Sequence, residues 1–425
     1  MSDTRSIKPI RAPFDLRLRP PGSKSQTIRA LVIASLASGT SRIRHPLRSD
    51  DTHFARQALR QLGVMIDDSS DPWLLTGAEG RLEASPEPID AGASGLTARA
   101  LIATAPLVDG STVVIGRDRL PERPMAGLVE ALGDLGVAVT ATSGRLPVTV
   151  LGTGSLPGGE VTVDSRETTQ FLTAMLMAAP LASSSLTLIP KGIDGSQGYI
   201  AVTLRAMSDF GATVEEMDNG YRVSPTGYRS ADIDIEPDAS AAVYPMVAAA
   251  ITGSRVVIEG LGSLSLQPDL SVAGVLAGMG CEVSQDTDTT TVIGPSRPLR
   301  PTDVDLSGCP DGSLAVAVAC LFADGESRLS GLGSLRFKES DRLIALATEI
   351  ERLGAGARIE GDSLLITPAS LRPAVIDTYQ DHRVAMSFGL VGLVEKGIEI
   401  TSPEVVGKTW PEYWDLLESF DRENL

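Results

Sequence analysis

The sequence predicts two similar α/β domains whose apolar helices lie inside their sheets. Three observations predict it. Six apolar stretches start about 70 to 74 residues apart, each passes directly into an extended segment, and Leu-Gly junctions return between them at about the same interval. Self-similarity at this period marks a supersecondary unit stacked on copies of itself.

The six stretches are SKSQTIRALVIASLASGTSRIRH, SGLTARALIATAPLVDGSTVVIG, TTQFLTAMLMAAPLASSSLTLIP, SAAVYPMVAAAITGSRVVIEG, GSLAVAVACLFADGESRLSG and DHRVAMSFGLVGLVEKGIEIT. Each is almost wholly apolar after its first turn, as befits a helix buried on all sides rather than an amphipathic surface helix. The segments leading in, such as VTVD, IDIE, VDLS and VIDTY, alternate like strands. A second helix in each unit ends at Gly63, Gly136, Gly211, Gly280 or Gly354 and an alternating run follows, the pattern of a glycine C-cap before a strand. The sixth unit stops in the helix WPEYWDLLESF, and residues 6 to 19, SIKPIRAPFDLRLR, read as two extended runs that would complete it. Three units per domain then give a first domain of residues 22–239 and a second of 1–21 plus 240–425, with crossings near Gly22 and Asp238. The two connecting strands could serve as a hinge.

Composition narrows the function. An apolar fraction of 42% over 425 residues supports more than one core and excludes disorder. No apolar window reaches membrane-spanning length, and MSDTRSIKPIRAPF lacks a signal-peptide core, so a cytoplasmic protein is expected, with no membrane partner. Cys281, Cys309 and Cys320, like His45, His53 and His382, are scattered, so no metal site is expected. A formal charge of −17 disfavours nucleic acid but leaves small anions open. Only six of the 37 basic residues are lysines; a GC-rich genome would produce that bias, and so would retention of Lys where a primary amine must exchange a proton.

Polar clusters open the helices, where free N–H groups either take a cap or bind an anion. Ser25, Thr168, Ser240 and Ser313 fit plain caps. Lys24 with Arg29, Arg99, Gln170 and the trio Asp381, His382 and Arg383 instead bring cations or amides to an end that is already positive. The loops RDRLPERPM, SLRFKESDRL and VVGKTWPEY add Arg117, Arg119, Arg123, Arg336, Lys338, Glu339, Asp341, Arg342 and Lys408. A solvated helix face accounts for KESDR by i,i+4 pairing, but not for half of the lysines falling at 24, 338 and 408. The stretch PPGSKSQTIRA is half a phosphate loop without the first glycine of the nucleotide-binding motif. A non-catalytic repeat array is the rival reading. Against it, the helix starts differ chemically while the helix bodies are alike, which favours one scaffold serving an asymmetric ligand.

In order, PGSKSQTIRA, SDDT, LPERPM, TTQFLTAMLMAAPLA, the PD of CPDGS, KESDRL, DHRVAMSF and GKTWPEY closely resemble the motifs of the 5-enolpyruvylshikimate-3-phosphate synthase family over essentially the whole chain. The resemblance implies an inside-out α/β fold of six βαβαββ units in two domains that close over the substrates, and no metal or organic cofactor. It implies transfer of the enolpyruvyl group of phosphoenolpyruvate to the 5-hydroxyl of shikimate 3-phosphate with release of phosphate, by a monomeric enzyme of aromatic amino acid biosynthesis. By similarity, Ser25, Arg29, Thr168, Thr169, Ser196, Tyr199, Asp311, Ser334 and Lys338 would hold shikimate 3-phosphate. Lys24, Gly95, Arg123, Gln170, Arg342, Arg383 and Lys408 would surround phosphoenolpyruvate. Asp311 fits the catalytic base, with Glu339 and Lys24 as the candidate acids. Two phosphates and two carboxylates in one site call for several guanidinium forks.

Three positions depart from the family pattern. Ala93 and Leu96 stand where Asn and Thr are expected, and Ser334 replaces an Asn. They keep a catalytically altered paralogue as an alternative. The related transferase acting on UDP-N-acetylglucosamine expects Lys-Asn near the first helix and a loop Cys, where this chain has Lys24-Ser25 and GRDRLPERPM.

Overall fold

The computed structural model describes residues 4–192 and 197–421. The chain divides into a contiguous unit, Gly22–Glu236, and a discontinuous one, Met1–Pro21 with Pro237–Leu425. The sequence boundary after Ala239 falls too late. Asp238 caps the helix Ala239–Thr252 by accepting from the Ala241 N–H at 3.0 Å, so cap and helix stay in one unit.

Each unit is built on three central helices: Lys24–Leu36, Gly95–Thr104 and Gln170–Ala178 in the contiguous unit, and Ala239–Thr252, Ser313–Cys320 and His382–Gly389 in the other. Nearly every residue of these helices is buried. Small side chains suit them to close packing, and alanine has the highest helix propensity. They form a separate apolar core in each unit. Pro106 and Pro180 end two of them in short 3-10 turns, Ala105–Leu107 and Ala179–Leu181, where a missing N–H cannot continue the helix. No described helix is long and apolar enough to cross a membrane.

Among the described residues the helices are accompanied by six sheets, five of four strands and one of three. In the second repeat Ile89–Asp90 leads into the Gly95 helix and pairs parallel with Asp109–Ile115, which follows that helix. The hairpin Ala138–Thr142 and Arg145–Thr153 adds antiparallel. The other four-stranded sheets repeat this order. The five junction glycines all take positive φ, between 82° and 105°, a conformation only glycine enters without steric cost.

Two leading strands are exchanged between repeats. Asp15–Leu18, which precedes the Lys24 helix, pairs parallel with Arg255–Glu259 of the fourth repeat. Asp232–Asp234, which precedes the Ala239 helix, pairs parallel with Thr40–Arg44 of the first. Of the two N-terminal runs, therefore, only Thr4–Ile7 joins the sixth sheet, antiparallel to Ile398–Thr401. Alternation identifies a strand, but its neighbour is fixed by long-range pairing.

Candidate functional site

In the contiguous unit the first helix is capped by Ser23, whose hydroxyl accepts from the Gln26 N–H at 3.4 Å. The expected cap, Ser25, is thereby left inside the helix. The caps of the later helices also lie beside the expected residues: Thr169 precedes Gln170, Asp238 precedes Ala239, and Gly312 precedes Ser313. Lys24 places its Nζ 3.2 Å from the Asp51 carboxylate at the start of the outer helix Asp50–Gln61, both side chains being largely buried.

One turn beyond Ser25 lies Arg29, only 2% exposed. Its Nη1 donates to the Ser25 hydroxyl at 2.5 Å and the Ser25 carbonyl at 3.0 Å, its Nε to the Thr203 hydroxyl at 2.9 Å and its Nη2 to the Tyr199 carbonyl at 3.2 Å. None of these partners is a carboxylate. Burial accordingly pulls the guanidinium pKa down to about 10, with Tyr199 opposing. A cation desolvated against neutral groups alone is stabilised when an anion joins it.

A second group gathers at the starts of the other two helices. Arg99 donates to the Gln170 amide oxygen at 2.6 Å and the Pro124 carbonyl at 2.9 Å, and lies over the Phe171 ring at 5.2 Å. Gly95 faces two guanidinium groups: a Cβ there would sit 2.5 Å from Arg99 Nη1 and 2.9 Å from Arg123 Cζ. The half-buried Thr168 accepts from the Gln170 N–H at 3.3 Å. Ser196, also expected here, lies outside the described residues.

The discontinuous unit carries a cluster centred on Asp311 and Arg342. Lys338 and Glu339 precede the helix Arg342–Arg352 and are not on its solvated face; Asp341 caps it, accepting from the Ile344 N–H at 3.1 Å. The buried Arg342 fork meets three carboxylates: Asp311 through Nη1 at 2.8 Å, Glu339 through Nη2 at 2.9 Å and Asp381 through Nε at 2.8 Å. Arg383 reaches the other Asp311 oxygen at 3.0 Å, and Lys338 approaches Asp311 at 3.7 Å. Burial would raise the Asp311 pKa, but Arg383, Lys338 and Arg342 together hold it well below the usual carboxylate range. Burial would likewise lower the pKa of Arg383, but Asp311, Tyr244, Asp238 and Asp269 together hold it well above the usual value. Arg383 also donates to Tyr244 Oη at 3.3 Å, and burial raises that phenol to about 12 against the opposing pull of Arg383.

Lys408 is buried at the end of the 3-10 turn Pro403–Lys408. Ser334 lies in the turn Gly333–Phe337 ahead of Lys338, and its hydroxyl has no hydrogen-bond partner among the described residues. Sequence reasoning did not single out Thr203 or Tyr244, and nothing in the sequence marks either of them. Asp51 and Asp381 stood in the quoted motifs SDDT and DHRVAMSF, but not as partners of Lys24 and Arg342. Among the described residues no group of three or more His, Cys, Asp or Glu side chains could hold a metal ion.

The fold is that of the enolpyruvyl transferases. EPSP synthase from Acinetobacter baumannii superposes with a TM-score of 0.83 at 25% identity over 98% of each chain. The enolpyruvyl transferase NikO from Streptomyces tendae shares the fold alone, with a TM-score of 0.75 at 16% identity over 100% of this chain and 98% of its own. The chain belongs to the EPSP synthase (3-phosphoshikimate 1-carboxyvinyltransferase) family, whose model matches residues 10–417. The 3-phosphoshikimate 1-carboxyvinyltransferase of Rhizobium leguminosarum bv. trifolii is 40% identical over 97% of this chain and 96% of its own. The chloroplastic enzyme of Brassica napus is 39% identical over 98% of this chain and 85% of its own.

Proposed function

We propose that the protein transfers the enolpyruvyl group of phosphoenolpyruvate to the 5-hydroxyl of shikimate 3-phosphate and releases phosphate. In the addition step the 5-hydroxyl oxygen bonds to the central enol carbon, its proton leaves, and the methylene carbon gains a proton. In the elimination step the methyl group so formed loses a proton as the bond to phosphate breaks. Each step needs a group that accepts a proton and one that donates it.

The observation that carries this reading is the Asp311 cluster. A half-buried carboxylate kept ionised by Arg342, Arg383 and Lys338 is ready to accept a proton, and the same cations suit an anionic substrate. When phosphoenolpyruvate takes Arg342 and Arg383 as its ligands, Asp311 loses part of its counter-charge. Its pKa then rises toward the range in which a carboxylate is an effective base. Glu339 and Lys24 are the two groups available to protonate the methylene carbon.

The remaining assignments follow charge. Ser25, Arg29, Thr168, Thr169, Ser196 and Tyr199, together with Ser334, Lys338 and Asp311, take shikimate 3-phosphate. Arg29 receives the phosphate that its neutral surroundings withhold from it. Lys24, Gly95, Arg123, Gln170, Arg342, Arg383 and Lys408 take phosphoenolpyruvate. The protein acts in the cytoplasm, as a monomer.

Release of inorganic phosphate from the two substrates tests the reaction. The wild-type protein is expected to turn over and Lys24→Met to lose at least about a hundredfold in rate, the order expected for a lost proton-transfer group. A wild-type protein that binds both substrates but releases no phosphate would be an altered paralogue. Unchanged turnover in Lys24→Met would remove Lys24 from the site.

A further inference from the structure

The helix that presents Arg342 at its first position carries a second buried charge two turns later. Glu349 is fully buried on the same face as Arg342, Leu346 and Ile350. Its Oε1 accepts from the Tyr379 hydroxyl at 2.8 Å, and its Oε2 from Arg352 Nε at 2.8 Å and the Asp377 N–H at 3.3 Å.

What Glu349 grips is an unusual turn. Tyr379 and Gln380 have φ of 52° and 56°, two successive non-glycine residues in the left-handed region. An aromatic side chain seldom enters it, and such a turn persists only where its surroundings over-determine it. The Tyr379 N–H donates to the Asp377 carboxylate at 2.9 Å, and Gln380 Nε2 to the Ser402 hydroxyl at 3.1 Å. The Asp381 N–H closes the turn on the Thr378 carbonyl at 2.8 Å. Asp381 follows at once. It binds the Arg342 fork, accepts from the Ser340 hydroxyl at 2.9 Å and accepts from the Arg383 N–H at 2.9 Å.

The Arg342–Arg352 helix thus holds one loop at two places, through Arg342 to Asp381 and through Glu349 to Tyr379. We propose that Glu349 is a positioning residue. Through the Tyr379 hydroxyl it keeps the 377–380 turn left-handed, and so sets Asp381 at the place where it aims Arg342 and starts the helix bearing Arg383. The kinetic consequence rests on the reading that Arg342 and Arg383 bind phosphoenolpyruvate; the conformational consequence does not.

Tyr379→Phe removes one hydroxyl from a half-buried ring and tests both consequences. Hydrogen exchange at the Asp381 and Arg383 amides is expected to quicken about fivefold or more relative to wild type while the melting temperature stays close to it. Unchanged exchange overturns the proposal whether or not the protein turns over its substrates. In steady state, KM for phosphoenolpyruvate is expected to rise about fivefold with KM for shikimate 3-phosphate unchanged. Equal rises in both constants, the mark of a general structural role, also overturn it. Glu349→Gln, whose amide oxygen can still accept from Tyr379, is expected to keep wild-type exchange at Asp381. Exchange as fast as in Tyr379→Phe would show that the Tyr379 bond alone does not hold the turn and would overturn this route. Absence of turnover in wild type with the exchange difference intact would refute the substrate reading and leave the brace standing.

Discussion

Replacing Arg29 by methionine separates the binding role of that residue from any role in stability. Arg29 is 2% exposed, and burial pulls its guanidinium pKa down to about 10. At about 1.4 kcal/mol per pH unit, this fall corresponds to about 3 kcal/mol by which the folded chain disfavours the charge. Below about pH 10 the residue is charged in both the folded and unfolded chains, so the penalty is present in full at pH 7. Above about pH 10 the folded chain sheds its proton first, and stability from this group rises with pH. Methionine keeps the aliphatic stem of the side chain; the Tyr199 carbonyl still receives the Thr203 hydroxyl at 2.8 Å, and the half-buried Ser25 hydroxyl loses its Arg29 donor. Arg29→Met should therefore unfold in denaturant within about 1 kcal/mol of wild type, or up to about 3 kcal/mol later. The same substitution removes the charge-assisted bonds offered to a phosphate, each contributing about 1.5 to 3 kcal/mol. The ratio kcat/KM for shikimate 3-phosphate should fall by about a hundredfold or more. A variant destabilised by more than about 2 kcal/mol with an unchanged KM would refute the reasoning, since Arg29 would then be a structural cation.

Gly95→Ala would drive a methyl group into Arg99 and Arg123; phosphate-release kinetics should show KM for phosphoenolpyruvate raised about tenfold, the equivalent of about 1.4 kcal/mol, with little change in melting temperature. Asp311 is ionised well below the usual carboxylate range, so its stabilising contribution is present above the unfolded value near ~3.9 and lost as pH falls through the folded pKa. Asp311→Asn should accordingly flatten the acid limb of a stability–pH curve, while an identical acid limb would argue against the cation cluster as its cause. Reverting the departures, Ala93→Asn with Leu96→Thr, should lower KM for phosphoenolpyruvate by about tenfold through one restored hydrogen bond to a charged group. Michaelis constants equal to those of the unaltered protein would show that the two positions do not touch affinity.

The repeat was legible because it rests on local signals: an apolar helix body, an alternating strand and a glycine that must adopt positive φ each leave a mark within a few residues. Lys24, Lys338 and Lys408 stood out because lysine is rare here and half of the six fall at one helix start and in two connecting segments. What the sequence withheld depends on distant pairing. Asp15–Leu18 reads as a strand, yet nothing in DLRL names Arg255–Glu259 as its partner. Thr203 becomes a ligand of Arg29 only once the helix Gln197–Asp209 packs on the first helix. The caps were misplaced by one or two residues because several residues at a helix start can serve as the boundary, and only the backbone geometry decides which one does. At Ser25 that boundary leaves the hydroxyl free of capping, and it accepts from Arg29.

The exchanged leading strands impose an order on biosynthesis. As the ribosome extends the chain, Thr4–Ile7 and Asp15–Leu18 are made before either of the strands they pair with, Ile398–Thr401 and Arg255–Glu259. Residues 22–236, by contrast, contain every strand of their own three sheets. The contiguous unit can close while the nascent N-terminal segment still waits, its strand edges open to mispairing. Moving residues 1–21 to follow residue 425 would make both units continuous and abolish that wait.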